Sequence, residues 1–252
     1  SMPIGFQSYV LRKDIGLNLD KTLKKMVGYG YQFVEMCSPS GYMDEFAPLA
    51  KYSGKELKSM INNTGIKCIG CHFTWNEMEN NLDERIEFAN ELGITQFVCS
   101  GGLDAPTEDE VKRKCGALNA MGEKIKSAGM GAGYHNHEME FKNKFNGRPE
   151  YDLILEELNP EVVKMQFQTQ VITLGYMGST YFKKYPERFF SAHLQDYART
   201  DNTKEVTLGQ GIMDWKEFFS AAKVGGLQIV YVEMESNPGA FKDSIIYLKN
   251  LI

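Results

Sequence analysis

Short apolar runs alternate with longer amphipathic stretches along the whole chain. Gly5-Phe6-Gln7-Ser8-Tyr9, Gln32 to Met36, Lys67 to His72 and Gln96 to Ser100 are the first four runs, and each has the length and composition of a buried strand. Between them lie predicted helices at Asn18 to Val27, Ser53 to Asn63 and Leu82 to Leu92. In the first of these, Leu19, Leu23 and Met26 are spaced to fall on one buried face. The punctuation agrees with the periodicity. Ser53 with Glu56 and Thr107 with Glu110 are capping-box patterns, and Gly65, Gly93 and Gly129 follow predicted helix ends. The rhythm continues with a helix from Thr107 to Ser127 and a fifth strand ending at His135. A helix over Tyr151 to Leu158 stops before Pro160, and a sixth strand follows at Val163 to Gln168. Then come a helix near Ser179 to Tyr185, a strand at Arg188 to Leu194 and a helix at Trp215 to Lys223 with Asp214 as N-cap. A strand at Gln228 to Glu233 and a helix at Ala240 to Leu251 close the series.

Strict alternation of strand and helix predicts an α/β fold with a parallel sheet. Eight repeats favour closure into a (β/α)8 TIM barrel over an open sheet. A chain of 252 residues matches one such barrel, so residues 1–252 are expected to form a single domain. No glycine-rich dinucleotide fingerprint follows the first strand.

The chain has only four histidines, and all lie in or just beyond predicted strand ends: His72, His135, His137 and His193. Glu233 ends the eighth strand in the same way. The carboxyl ends of the strands are where a (β/α)8 barrel builds its active site, so a divalent metal site is expected there.

Several segments, in order, resemble the xylose isomerase-like barrel superfamily, and within it the sugar (phosphate) isomerase/epimerase group. They are Gly5-Phe6-Gln7-Ser8-Tyr9-x-x-Arg12, Gly30-Tyr31-x-x-Val34-Glu35 and Gly133-Tyr134-His135-Asn136-His137-x-x-Glu140-Phe141. Ala192-His193-Leu194-Gln195-Asp196, Leu208-Gly209-Gln210-Gly211-Ile212-Met213-Asp214-Trp215 and Val232-Glu233 complete the set. The resemblance implies one divalent ion at the barrel mouth, held by residues of the fifth to eighth strands in the pattern Glu, Asp, His, Glu. Carried over, these positions are His135, Gln168, His193 and Glu233. Gln166, Gln168 and Gln170 share strand parity, so a slip of the sixth-strand position to Gln166 stays open.

The departures change the expected chemistry. Two imidazoles, one carboxylate and one amide suit manganese, zinc, iron or nickel better than magnesium or calcium, and the amide weakens the site. In the relatives two metal-bound glutamates flank the substrate, one taking a proton beside the carbonyl and one returning it. Here Glu233 alone keeps that character and is the expected base; His72, Glu35 or water is left to return the proton. The leading expectation is a sugar isomerase or epimerase. A lyase or hydratase acting on keto-sugar derivatives is the alternative, because elimination needs one base and one acid. A barrel that has lost its metal and merely binds sugars is kept alive by Gln168.

Other positions carry weaker expectations. His137, Trp75, Arg12 and Arg199 are placed on the substrate, against the plainer readings of a loop histidine, loop packing and surface charges. Glu140 is assigned either to a ligating histidine or to solvent. No glycine-rich loop or paired basic residues mark a phosphate site.

Charge and composition narrow the classes further. The 33 acidic and 28 basic residues are interspersed, giving a net charge of −5, which disfavours nucleic acid and membrane surfaces. That charge and the few histidines also argue against a DNA-repair endonuclease, another branch of the superfamily. The partner expected is a small-molecule carbohydrate, with homo-oligomerisation open. Five cysteines, an odd number, read as buried free thiols, and Cys68-Ile69-Gly70-Cys71 lies in a predicted strand without a second pair. With no membrane-length apolar run and no visible signal peptide, a cytoplasmic location is expected. Ser1 reads as a cloning remnant, so a mature periplasmic form stays open.

Overall fold

A computed structural model describes residues 1–42 and 44–252. Eight parallel strands close into a barrel: β1 (Ile4–Gln7), β2 (Phe33–Cys37), β3 (Lys67–Phe73), β4 (Gln96–Cys99), β5 (Gly131–His135), β6 (Val163–Gln168), β7 (Phe189–Leu194) and β8 (Ile229–Val232). Each strand pairs with its sequence neighbours, and β1 closes the ring on β8 through Ile4 opposite Val230 and Phe6 opposite Val232. The outer ring is α1 (Leu19–Tyr29), α2 (Gly54–Asn62), α3 (Trp75–Leu92), α4 (Glu108–Ser127), α5 (Glu150–Glu157), α6 (Gly178–Lys184), α7 (Trp215–Gly225) and α8 (Phe241–Leu251).

The helices form where the sequence has both an apolar stripe and a start signal. In α1 the buried positions are Leu19, Thr22, Leu23 and Met26, and Asn18 accepts the Lys21 amide as N-cap. The capping box at Ser53 and Glu56 is closed in both directions. Thr107 caps α4 through the Glu110 amide alone.

Three differences from the sequence reading bear on the site. α3 begins at Trp75, seven residues before the expected start, because Thr74 and Glu77 form a second capping box; the helix kinks at Asn81. β1 ends at Gln7 and passes into a 3-10 turn over Ser8–Leu11. Between β7 and α7 the chain makes a long excursion in which Asp196–Tyr197 pairs with Glu205–Val206.

The barrel interior is not regular. Along β6 and β7, Met165 pairs with Phe189 but Gln166 pairs with Ser191, so Phe190 is skipped. That irregularity turns Phe190 inward over Gly133, where a Cβ would lie 2.2 Å from the ring. Glycine there leaves the space that the ring fills.

All five cysteines are free. Burial pushes the Cys68 thiol up to about 12 and Cys71 well above its ordinary value, so neither supplies a thiolate at neutral pH. Among the described residues, no helix is long and apolar enough to cross a membrane.

Candidate active site at the barrel mouth

Strand parity brings a set of polar side chains to one level inside the barrel. Glu35 on β2, His72 on β3, His135 on β5, Gln166 on β6 and His193 on β7 are each less than 5% exposed. Buried polar groups must pair, and these pair with one another. Glu35 Oε1 accepts Nε2 of His193 at 2.6 Å and Nε2 of Gln7 at 2.5 Å, and lies 3.0 Å from Nε2 of His72. Glu35 Oε2 accepts Nε2 of Gln166 at 2.6 Å. Gln166 Oε1 in turn lies 2.7 Å from His72 Nε2 and 2.9 Å from His135 Nδ1.

Above this layer opens a cavity of about 490 Å³. His72, His135, His137, Gln168 and Glu233 lie on its wall, as do Gln195, Glu138 and Glu235. Tyr9 and Tyr42 also line it, their rings edge to face with centroids 6.0 Å apart. His193 lies behind the wall: its Nδ1 is 2.9 Å from Glu233 Oε2 and makes an ionic contact with it. Gln168 Nε2 donates to Glu233 Oε1 at 3.0 Å.

The electrostatics follow from burial and pairing. Burial alone would raise Glu35, but His72 and His193 outweigh it and hold the carboxyl well below its usual range. Burial likewise opposes ionisation of Glu233, and His193 with Gln168 reverses the balance, so that carboxyl is also lowered. Burial disfavours charge on His193, yet Glu35 and Glu233 push it up to about 10. His135 has no such carboxylate, and burial plus its neighbouring imidazoles hold it well below its ordinary value. His137 is lowered by burial and by His72.

One nitrogen each from His72, His135 and His193 falls within 4.8 Å of the other two. Together with the Glu233 carboxylate, 2.9 Å from His193 Nδ1, this donor set of imidazoles and one carboxylate fits a borderline transition ion. Gln168 lines the same cavity but turns its amide nitrogen to Glu233, and its oxygen takes the Gln170 amide at 3.3 Å.

The sequence-expected site residues therefore divide. His72, His135, His137, Gln168 and Glu233 face one cavity, with His193 directly behind it. Glu35 is fully buried beneath and has no face on the cavity. Arg12 pairs with Glu45 at 3.3 Å and covers the Tyr9 ring, Trp75 lies against Gly102 at the start of α3, and Arg199 is exposed. None of these three lines the cavity. Glu140 bonds neither a ring nitrogen nor solvent: it accepts the Tyr134 hydroxyl at 2.6 Å and the His137 amide at 2.9 Å. Sequence reasoning missed Gln7, Tyr42 and Ser100 on the wall and the central place of Gln166. Gln7 and Gln166 had a signal, since each has inward parity on its strand.

A closed parallel barrel with imidazoles and a carboxylate gathered at the carboxyl ends of its strands defines the class: a (β/α)8 protein with its site at the barrel mouth. The chain belongs to the xylose isomerase-like TIM-barrel family, whose sequence profile matches residues 23–251. No curated protein sequence matches it. Among solved structures it is similar to a sugar phosphate isomerase/epimerase from Parabacteroides distasonis, at 23% identity and a TM-score of 0.81 over 98% of this chain and 93% of that one. It is also similar to a zinc-bound IolI protein, at 18% identity and a TM-score of 0.73 over 99% and 96% of the two chains. A third likeness is to AsbF of Bacillus anthracis, a probable 3-DHS dehydratase, at 10% identity and a TM-score of 0.77 over 99% of each chain. At these identities the likenesses establish the fold alone.

Proposed function

We propose that the chain is a metal-dependent sugar isomerase or epimerase that moves a proton beside a carbonyl at the barrel mouth. The observation that carries this reading is the convergence of His135, His193 and Glu233 at the barrel mouth, with the free face of His193, Nδ1, turned to the Glu233 carboxylate at 2.9 Å. These three residues would hold a divalent ion, with His72 or Gln168 in the fourth place. A bound ion of this kind polarises a carbonyl oxygen and stabilises the charge that develops on it. The zinc-bound IolI neighbour supports zinc among manganese, iron and nickel.

The chain's own groups supply the rest. Glu233, held ionised by His193 and Gln168, is the carboxylate on the wall that can take a proton. Glu35 has no face on the cavity, which leaves the imidazoles of His72 and His137 to hand a proton back. Tyr9 and Tyr42 offer aromatic faces to the apolar side of a sugar ring.

Elemental mass spectrometry on protein prepared without chelator is the first test. About one transition ion per chain, lost in His193→Ala, is expected from a single four-coordinate site. Glu233→Gln should abolish exchange of substrate hydrogen with solvent deuterium while circular dichroism stays native. Near-normal exchange in that variant would remove Glu233 as the base. The second reading is a lyase or hydratase, favoured by the loss of the second metal-bound glutamate to His135. It predicts release of water or a leaving group from a keto-sugar derivative, with no epimer formed.

A further inference from the structure

We infer that Glu35 is a positioning residue that fixes, from beneath the cavity, how the three clustered histidines are turned and which ring nitrogen of each is tied down by a hydrogen. Four side-chain nitrogens converge on its two oxygens: Gln7 Nε2, His72 Nε2 and His193 Nε2 on Oε1, and Gln166 Nε2 on Oε2. A carboxylate so surrounded has only acceptor capacity, so every group facing it must bring a hydrogen. Nε2 of His193 and Nε2 of His72 are therefore N–H donors. For both rings the remaining nitrogen is Nδ1. In His193 it faces the Glu233 carboxylate at 2.9 Å, and by the same rule it carries a second hydrogen that a metal ion would have to displace.

The third histidine is set one step further out. Gln166 can turn its amide either way, and only one way puts a donor on Glu35 Oε2. That orientation is also the one in which Gln166 Nε2 reaches Ser191 Oγ at 2.9 Å. It aims Oε1 at His72 Nε2 and His135 Nδ1. An amide oxygen accepts and cannot donate, so His135 carries its hydrogen on Nδ1 and keeps Nε2 as the free nitrogen. One buried carboxylate thus fixes two imidazoles directly and a third through an amide.

This distinguishes Glu35 from a base that touches substrate. It is fully buried and has no face on the cavity, so a substrate there meets the histidines and not the carboxylate. It also makes a specific demand on the substitution Glu35→Gln. An amide in that place puts a donor against either Gln166 Nε2 or the His193 and His72 nitrogens. The clash is relieved by turning Gln166 over, which takes its oxygen away from His72 and His135. A change at β2 is then read at β5.

The consequence for metal affinity rests on the proposed function above; the ring tautomers do not. Long-range nitrogen–hydrogen NMR of the imidazoles, on the intact chain without added metal, reads the tautomers directly. The expected result is a hydrogen on Nε2 of His72 and His193 and on Nδ1 of His135. The His193 Nε2 hydrogen should exchange slowly and should lose that protection in Glu35→Gln. A wild-type His193 whose Nε2 carries no hydrogen, or a His135 protonated on Nε2 alone, overturns the inference even if the variant fails to fold. Zinc affinity by chelator competition is the second readout, and Glu35→Gln is expected to weaken it by about 10- to 100-fold. Wild-type protein that binds no zinc would sink the metal reading while the NMR result still decides the role of Glu35. A folded Glu35→Gln with unmoved imidazole signals would overturn that role.

Discussion

A carboxylate with no water around it must find donors, and Glu140 finds two within its own motif. The Tyr134 hydroxyl reaches Oε1 and the His137 amide reaches Oε2. Burial still pushes the carboxyl up, and these contacts only partly offset it. The second contact ties down the backbone of His137, whose ring stands on the cavity wall 5.0 Å from that of His135. Glu140→Ala would leave a buried hydroxyl and a part-buried amide without a partner, at about 1–3 kcal/mol for each such group. We expect a loss of about 2–4 kcal/mol in urea denaturation, since relaxation recovers part of that sum. A loss below about 0.5 kcal/mol would mean that water replaces the carboxylate. At this scale the sequence was readable where parity decides and unreadable where it does not. His72, His135, Gln168 and Glu233 could be placed on one cavity because each ends a strand. Gln166 and Gln168 share parity, and nothing along the chain says that the deeper of the two touches two histidines and Glu35. Glu140 lies beyond its strand, where periodicity carries no information, and its partners are set by how the next turn folds back.

Elements were legible to the extent that their signals are local. All eight barrel strands fall within or beside the expected apolar runs, because a buried parallel strand needs little besides a short apolar stretch between breakers. The start of α3 was misplaced although Thr74 and Glu77 spell its cap, and the cost was functional: Trp75 became a helix N-terminus packed on Gly102 instead of a sugar platform. The turning-in of Phe190 could not have been read, because it arises from the register between β6 and β7 and appears only when the strands are paired. Its complement is the glycine opposite. In Gly133→Ala the new methyl would sit 2.2 Å from Phe190 Cζ and 2.6 Å from Cε1, too close for either atom to stay. Overpacking of this kind costs about 1–3 kcal/mol. Combining it with Phe190→Leu should return about 1 kcal/mol or more relative to the sum of the two single changes. Simple additivity in denaturant titrations would show that Phe190 swings away freely and that the irregularity in β7 does not depend on Gly133.

Across the whole molecule, the loops at the barrel mouth must be held to one another as well as to their strands. Two buried carboxylates in the long excursion after β7 do this. Asp196 gathers the amides of Gly209, Gly211 and Met213 and the indole nitrogen of Trp215, fixing the excursion on the start of α7. Glu205 reaches the other way and accepts the amides of Glu235, Ser236 and Asn237, in the loop that follows Glu233. It also takes Gln195 Nε2 at 3.3 Å, so two cavity residues, Gln195 and Glu235, rest on it. Burial pushes the Glu205 carboxyl up from 4.5 to about 7, with nearby Glu233 adding to the rise, while the three amides offset only part of it. The sign follows directly. A carboxyl whose pKa is higher folded than unfolded binds its proton more tightly in the fold, so its contribution is full below about 4.5 and is lost as pH rises through about 7. Thermal stability should therefore carry a downward component between those limits that Glu205→Gln removes, the variant being flatter with pH even if lower overall. Parallel trends of melting temperature with pH for the two proteins would mean that the three amides hold Glu205 ionised throughout. The link between the two mouth loops would then be insensitive to pH in that range.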